Sequence, residues 1–308
     1  MALMLLAGCA NVDLAAYRTV DIRAPLEDSG GRAALDFQGV PLSSGQVIVS
    51  EVDSAVSLLL TLMTETYSPW IHAGVISIED GRPWVYEAFG LLRPHLRGPP
   101  TDAMGGSVRR ISFERYLKRQ AVVAVFEPLP AVDRRAVARF ARSAEHAGLP
   151  FDPGFDHRTR DAVYCTEFVA RALEAGGAAP FPALPRNDNP SLGKALDWLG
   201  IDAPGFLAAA RLVERASPVA LLSEEYSPAQ VAARFAVKRE LHRRFTPDQR
   251  LGNVFRWIIT GPDLRPQVEA LIAAAIDEAQ TGHLSAEAAA RLYRRHLGPV
   301  AEPRLAAR

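Results

Sequence analysis

Cysteine is nearly absent: 308 residues hold two, Cys9 and Cys165. So few exclude a disulfide-framework fold and any multi-cysteine zinc or iron–sulfur site. Lysine is almost as scarce. Lys118, Lys194 and Lys238 are the only three among 35 basic residues, a bias we attribute to base composition of the genome. Net charge is lacking too, because 35 acidic residues balance the basic ones. That balance argues against nucleic-acid binding by bulk electrostatics. Residues 205–308 carry 15 basic against 11 acidic groups and the rest of the chain offsets them, an asymmetry that names no partner. No segment reaches the roughly 18 uninterrupted apolar residues of a transmembrane helix. What is present is ordinary globular material, 48% hydrophobic and 23% charged, which excludes wholesale disorder.

The chain opens Met-Ala-Leu-Met-Leu-Leu-Ala-Gly-Cys. Leu6-Ala7-Gly8-Cys9 resembles a bacterial lipobox, in which Cys9 is lipidated and becomes the mature N-terminus. A full signal needs a basic segment and an apolar run of about 7–15 residues. No basic residue precedes Cys9, which fits a start codon assigned too far downstream. Ala10 rather than Asp follows the cysteine, which by resemblance to known lipoproteins implies the outer membrane, facing the periplasm.

Further along, residues 10–44 read as a linker and approach to the fold. Val47-Ile48-Val49 reads as a strand, Ala55 to Thr66 as a buried helix and His72 to Ile78 as a strand. Glu79-Asp80-Gly81-Arg82 carries the Asp-Gly hairpin signal, and Trp84 to Ala88 returns as its partner. Strands follow at Val108 to Ile111 and Val122 to Phe126, with helices at Phe113 to Arg119, Ala131 to Ala147 and Cys165 to Ala175. Ser227-Pro228-Ala229-Gln230 and Thr246-Pro247-Asp248-Gln249 both fit a capping box with Pro in the first turn. With helical periodicity through Phe235, Leu241, Val268, Leu271 and Ile272, residues 205–308 are expected to be an all-helical extension.

Three residues could carry chemistry. Cys165 opens a helix, where the dipole and a neighbouring imidazolium lower a thiol from about 8.5 toward roughly 3.5–7.5. A nucleophile needs a base, and the base an orienting group. Among seven histidines, His72 begins an apolar strand, where its ring can project from the sheet's end into a cleft. Glu87 lies on the paired strand, amid apolar neighbours that make its burial costly without a partner. Strands lie about 4.8 Å apart, so the two can touch. Each also has a plain structural reading. Cys165 could be a small buried hydrophobe, His72 a satisfied core residue, and Glu87 a partner for an arginine such as Arg82. A zinc site from Cys165, His72 and Glu87 would lack short ligand spacing. Asp152, Asp156 and Asp161 do not follow the EF-hand pattern and read as a solvated loop.

Trp70-Ile71-His72-Ala73-Gly74-Val75-Ile76 resembles the histidine motif of the NlpC-type papain-like amidases. Leu149-Pro150-Phe151-Asp152 with Val163-Tyr164-Cys165-Thr166-Glu167-Phe168-Val169 resembles the cysteine motif of their circularly permuted YaeF/YiiX group. His72 precedes Cys165, the permuted order, and the family's following strand carries a glutamate where Glu87 stands. Two departures are Gly45-Gln46-Val47-Ile48 for the family's Gly-Asp-Ile-Ile and Thr166 for its serine. The resemblance implies an α+β fold: a small antiparallel sheet with packed helices, permuted papain-like, over residues 45–204 between the leader 1–9, the linker 10–44 and the extension 205–308. It implies a Cys165–His72–Glu87 triad cleaving peptide or acyl-amide bonds through an acyl-enzyme, without metal or cofactor. Acyl transfer on the same triad and a non-catalytic binding lipoprotein are the alternatives. The Cys165 amide and Tyr164 hydroxyl are candidate oxyanion donors. The substrate in a cell envelope would be a peptidoglycan peptide or a lipid amide, with the membrane met through lipidated Cys9 and no nucleic acid involved.

Overall fold

Unbroken β-branched and aromatic runs need apolar neighbours on both faces, and the chain supplies them by laying helices on each side of one sheet. A computed structural model describes residues 17–21, 34–37, 39–90, 106–245, 249–258, 261–280 and 284–298. The first elements are β1 (Arg18–Asp21), the hairpin β2 (Ala34–Phe37) and β3 (Val40–Ser43), β4 (Val47–Glu51) and α1 (Ala55–Leu62). Next come β5 (His72–Glu79), β6 (Arg82–Phe89), β7 (Ser107–Ser112), α2 (Phe113–Leu117), β8 (Val122–Glu127), α3 (Arg134–His146) and α4 (Cys165–Ala175). The remainder holds β9 (Leu184–Pro185), α5 (Pro190–Trp198), β10 (Gly205–Phe206), α6 (Ala209–Val213), β11 (Ser217–Ser223), α7 (Pro228–Arg244), the hairpin β12 (Phe255–Ile258) and β13 (Gly261–Leu264), α8 (Pro266–Glu278) and α9 (Ala286–Leu297).

Seven strands form the main sheet in the order β1-β11-β8-β4-β5-β6-β7. Every pair is antiparallel except β1 with β11. Alternation divides the strands between two cores. Val47 and Val49 of β4 face one with α3, α4 and α7, while Ile48 faces the other with Phe113, Tyr116 and Leu117 of α2. The β5–β6 turn fits its sequence, since Asp80 at φ 50° and Gly81 at φ 73° both take the left-handed conformation of a two-residue type I′ hairpin.

The fold is α+β, with a mainly antiparallel sheet and packed helices. The expectation of an all-helical tail is corrected. Residues 205–308 contain β10, β11 and the β12–β13 hairpin, and β11 lies inside the main sheet between β1 and β8. Ser217-Pro218-Val219-Ala220-Leu221-Leu222 is short and carries a proline, so its strand signal is weak until β8 provides a partner edge. Residues 10–44 likewise are more than a linker, because β1 pairs with β11. Of the two expected capping boxes, Ser227 and Gln230 form one at the start of α7. Thr246-Pro247-Asp248 lies outside the described residues, and a 3-10 turn over Leu251–Asn253 follows rather than a long helix.

The tail is tied in by buried charge. Glu51, at the end of β4, has no exposed surface and accepts from Arg234 Nε at 3.0 Å, from Arg234 Nη2 at 3.1 Å and from Lys238 Nζ. Arg234 Nη2 also donates to Asp53 at 2.7 Å.

Candidate functional site

His72 is the first residue of β5, and its face of the sheet is set by strand alternation. Val75 pairs with Tyr86 across β5 and β6. Continuing that register places Glu87 opposite Gly74, so His72 and Glu87 are diagonal neighbours on one face. His72 Nε2 and Glu87 Oε2 are 2.7 Å apart. Glu87 is 1% exposed, a burial that only firm partners sustain. Its other oxygen is held by Arg109, which sits directly across the β6–β7 ladder. Arg109 donates to Glu87 Oε1 from Nε at 2.8 Å and from Nη2 at 2.6 Å. The Arg109 guanidinium also lies 3.5 Å from the centre of the Phe89 ring.

Tyr116 of α2 stacks on His72, with centroids 6.1 Å apart and planes at 22°. Its hydroxyl shares a 2.8 Å hydrogen bond with Ser50 Oγ. Burial first, then the nearby Glu87 charge, keep that phenol protonated well above its ordinary range.

Cys165 arrives from the opposite layer. Helix α4 packs on the other face of the sheet through Phe168 and Val169, and its first residue reaches the start of β5. Cys165 Sγ lies 3.9 Å from the carbonyl oxygen of Ile71, the residue before His72. With Nε2 committed to Glu87, Nδ1 is the ring nitrogen left for the thiol. Burial opposes charging the ring, but the charge and hydrogen bonding of Cys165, followed by those of Glu87, outweigh it and push His72 up to about 10. Burial likewise opposes charging Glu87, yet the hydrogen bond and charge of His72 and the charge of Arg109 hold it below its usual range. The arrangement can present a thiolate beside an imidazolium whose far nitrogen is anchored.

The structure thus brings Cys165, His72 and Glu87 to one place, and it adds two residues that the sequence reading did not select. Arg109, rather than Arg82, is the arginine on Glu87; Arg82 pairs in register with Glu79 at the hairpin. The signal for Arg109 was the β6–β7 register, which needs the turn between the strands to be placed. Tyr116 announced nothing in sequence beyond an apolar helix position.

Other expectations resolve differently. The Tyr164 hydroxyl is buried and accepts the Leu207 N–H at 2.9 Å, a contact with the tail that does not use its own proton. His242 of α7 donates from Nε2 to the Thr64 carbonyl at 2.9 Å, and burial lowers its pKa. Asp152 caps its own loop, accepting from Gly154 N at 2.8 Å and Asp156 N at 2.6 Å. Cys9 lies outside the described residues. Among the described residues no three His, Cys, Asp or Glu side chains gather as metal ligands. Glu87 also fits a metal poorly, because one oxygen already faces the Arg109 cation.

No family model matches the chain, and no curated protein does. Among solved structures it is similar to one described as metalloprotein yiiX from Escherichia coli O157:H7, DUF1105. The similarity covers 60% of this chain and 98% of that one, at 18% identity and a TM-score of 0.44.

Proposed function

We propose that the chain is a cell-envelope thiol hydrolase that cleaves amide bonds, in peptides or acyl-amides, through Cys165, His72 and Glu87. One observation carries this reading. The His72 ring is fixed at Nε2 by a 2.7 Å contact to a buried carboxylate, while Cys165, the first residue of α4, has its Sγ 3.9 Å from the carbonyl oxygen of Ile71, the residue before His72. A satisfied core histidine would need neither the thiol nor the buried ion pair behind it.

The chemistry follows from these positions. Glu87 orients the ring and stabilises its positive charge. The Cys165 thiolate attacks the amide carbonyl carbon, forming the C–S bond. Collapse of the tetrahedral adduct breaks the C–N bond, and His72 delivers its proton to the leaving amine. Water then attacks the thioester as His72 accepts its proton, releasing the acid and restoring the thiolate. The Cys165 N–H, in the first turn of α4, is suited to hold the developing oxyanion. An amine or alcohol in place of water would give acyl transfer on the same residues.

The test is incubation with peptidoglycan fragments and with acyl-amides, read by mass spectrometry for product and for an acyl adduct on Cys165. An adduct that Cys165→Ala abolishes supports the hydrolase. Absence of any adduct, with iodoacetamide labelling Cys165 only near the ordinary thiol range of about 8.5, supports the non-catalytic binder instead. Added amine acceptor that captures the acyl group would assign a transferase.

The envelope location is a proposal from sequence alone: lipidation of Cys9 in Leu6-Ala7-Gly8-Cys9 would hold the protein at the membrane. Cys9→Ser should release it from the membrane fraction. Native protein found in the cytoplasm with Met1 intact would end that part of the reading.

A further inference from the structure

We propose that Arg109 is a positioning residue that sets the charge state of the Cys165–His72 pair by acting through Glu87. The inference rests on the hydrolase reading above and names what controls its nucleophile.

Four groups stand in a row with alternating charge in their active form: thiolate, imidazolium, carboxylate and guanidinium. Each inner member touches two partners of opposite sign. Glu87 divides its oxygens cleanly, Oε2 to His72 and Oε1 to Arg109 Nε and Nη2. Arg109 is placed opposite Glu87 by the strand register, and the Phe89 ring beneath the guanidinium holds it there. At the Cys165 end, Tyr164 and Glu167 stand on either side of the nucleophile: burial chiefly keeps the Tyr164 phenol protonated, and Glu167 pairs with Arg171 at 2.6 Å. Tyr116 of α2 contributes a protonated phenol, Ser50 of β4 a hydroxyl, and Gln120 the amide that accepts from Ser50 Oγ at 3.0 Å.

Consider the row without its last member. Glu87 remains buried, but one oxygen loses both donors. A buried carboxylate deprived of a cation at contact distance gains a proton more readily. Once Glu87 takes a proton from solvent, nothing anionic stands behind His72. The imidazolium then returns its Nδ1 proton to Cys165: the N–H bond breaks, the S–H bond forms, and the pair becomes thiol and neutral imidazole. Arg109, although it touches no reacting atom, therefore selects the reactive ion pair over the inert neutral one. A purely structural role, tying β7 to β6, would lower stability and leave the protonation of the pair unchanged.

The experiment reads alkylation of Cys165 by iodoacetamide from pH 5 to pH 9 in the full chain, and needs no substrate. In the wild type the rate should persist at pH 6. Arg109→Met should move the acid limb upward by about one pH unit, so that labelling at pH 6 slows about tenfold. Arg109→Lys, which keeps the cation, should restore most of it. Because Arg109→Met leaves a buried charge that could impair folding, the double variant Arg109→Met/Glu87→Gln is measured beside it, with no orphaned carboxylate. If Arg109 acts through Glu87, the double variant has the profile of Glu87→Gln alone. An unchanged profile in folded Arg109→Met, or additive shifts in the double variant, overturns the proposal. A wild-type protein that labels only near pH 8.5 overturns the hydrolase reading instead, so the two failures are distinct.

Discussion

Exchanging Glu87 for glutamine alters one atom of the site, and the surroundings dictate which way the new amide lies. Arg109 offers only donors to Oε1, at 2.8 and 2.6 Å, so the glutamine carbonyl must occupy that position. The NH2 group is then left facing His72 Nε2, 2.7 Å away in the native site. A donor there forces Nε2 to accept, which puts the ring's one proton on Nδ1, toward Cys165. In that tautomer His72 cannot take the thiol proton, and charging the ring would set two donors against each other. An acid-to-amide change of this type in a serine-protease triad costs about 10⁴ in turnover. A thiol at a helix start is already partly activated, so the expected loss here lies between about 10² and 10⁴. Stability should change less, because the Arg109 contact survives and the amide fills the same volume. The assay measures acyl-Cys165 formation from an activated acyl ester and the melting temperature on the same preparation. Folded Glu87→Gln protein that acylates at the wild-type rate would refute the tautomer argument and remove Glu87 from the site. A lowered melting point with normal turnover of the folded fraction would make Glu87 a structural ion-pair partner.

Glu167, two residues beyond Cys165, is raised to about 7, chiefly by burial and further by Asp152, against the pull of Arg171. Its folded pKa exceeds the unfolded 4.5, so the native state holds the extra proton and stability should fall as pH rises from about 4.5 to 7, then level off. Glu167→Gln should flatten that slope, which thermal melts from pH 4.5 to pH 8 would read; an unaltered slope rejects the assignment. Glu51→Gln should cost about 3–5 kcal/mol in urea unfolding, since it leaves the buried Arg234 and Lys238 cations short of their main counter-charge. A cost below about 1 kcal/mol would mean that water or Asp53 compensates them.

The helix and strand around the candidate nucleophile and base were legible because their cues are local. Cys165 to Ala175 is a helix with the expected bounds, ended at Gly176, and His72 begins the strand that its apolar run suggested. Asp80-Gly81 then fixes the hairpin, and with it the diagonal placement of His72 and Glu87. Arg109 was not legible, because its role depends on how β7 is registered against β6 across residues 90–106. Strand β11 was missed for a related reason. Its neighbours β1 and β8 lie far away in sequence, and no local pattern announces a strand that is completed only by distant partners. Helix α5 escaped notice although Asn189 before Pro190 is a clear start signal; the Asn189 carboxamide oxygen accepts from Ser191 N and Leu192 N. The buried Glu51 was hidden by its place at the end of an apolar strand, where a carboxylate looks like a solvent-facing terminus.

The dependence of the site on the tail leads to a sharper expectation about where the chain can be cut. Sequence composition suggests a boundary near residue 204, yet the fold crosses it in several places. Removing residues 205–308 would strip β11 from β8 and leave β1 without its partner. It would leave the Tyr164 hydroxyl without the Leu207 N–H, and the Thr166 hydroxyl, next to Cys165, without the Leu207 carbonyl to which it donates. Trp70, two residues before His72, would lose the Phe235 ring that meets it edge-on at 5.2 Å. Most costly, Glu51 would lose both cations at once, about 3–5 kcal/mol by itself. Domains of ordinary stability hold only about 5–15 kcal/mol in total, so a chain ending at 204 should not fold cooperatively. A chain ending at 245 keeps β11, Arg234, Lys238 and Phe235, and loses mainly α8, α9 and the β12–β13 hairpin. It should melt cooperatively at a reduced temperature, with Cys165 still alkylated at pH 6. Comparing the two truncations by circular dichroism melts and by Cys165 labelling separates a detachable appendage from a built-in part of the sheet. Equal melting and equal labelling would show that β11 and the buried charges of α7 contribute nothing essential.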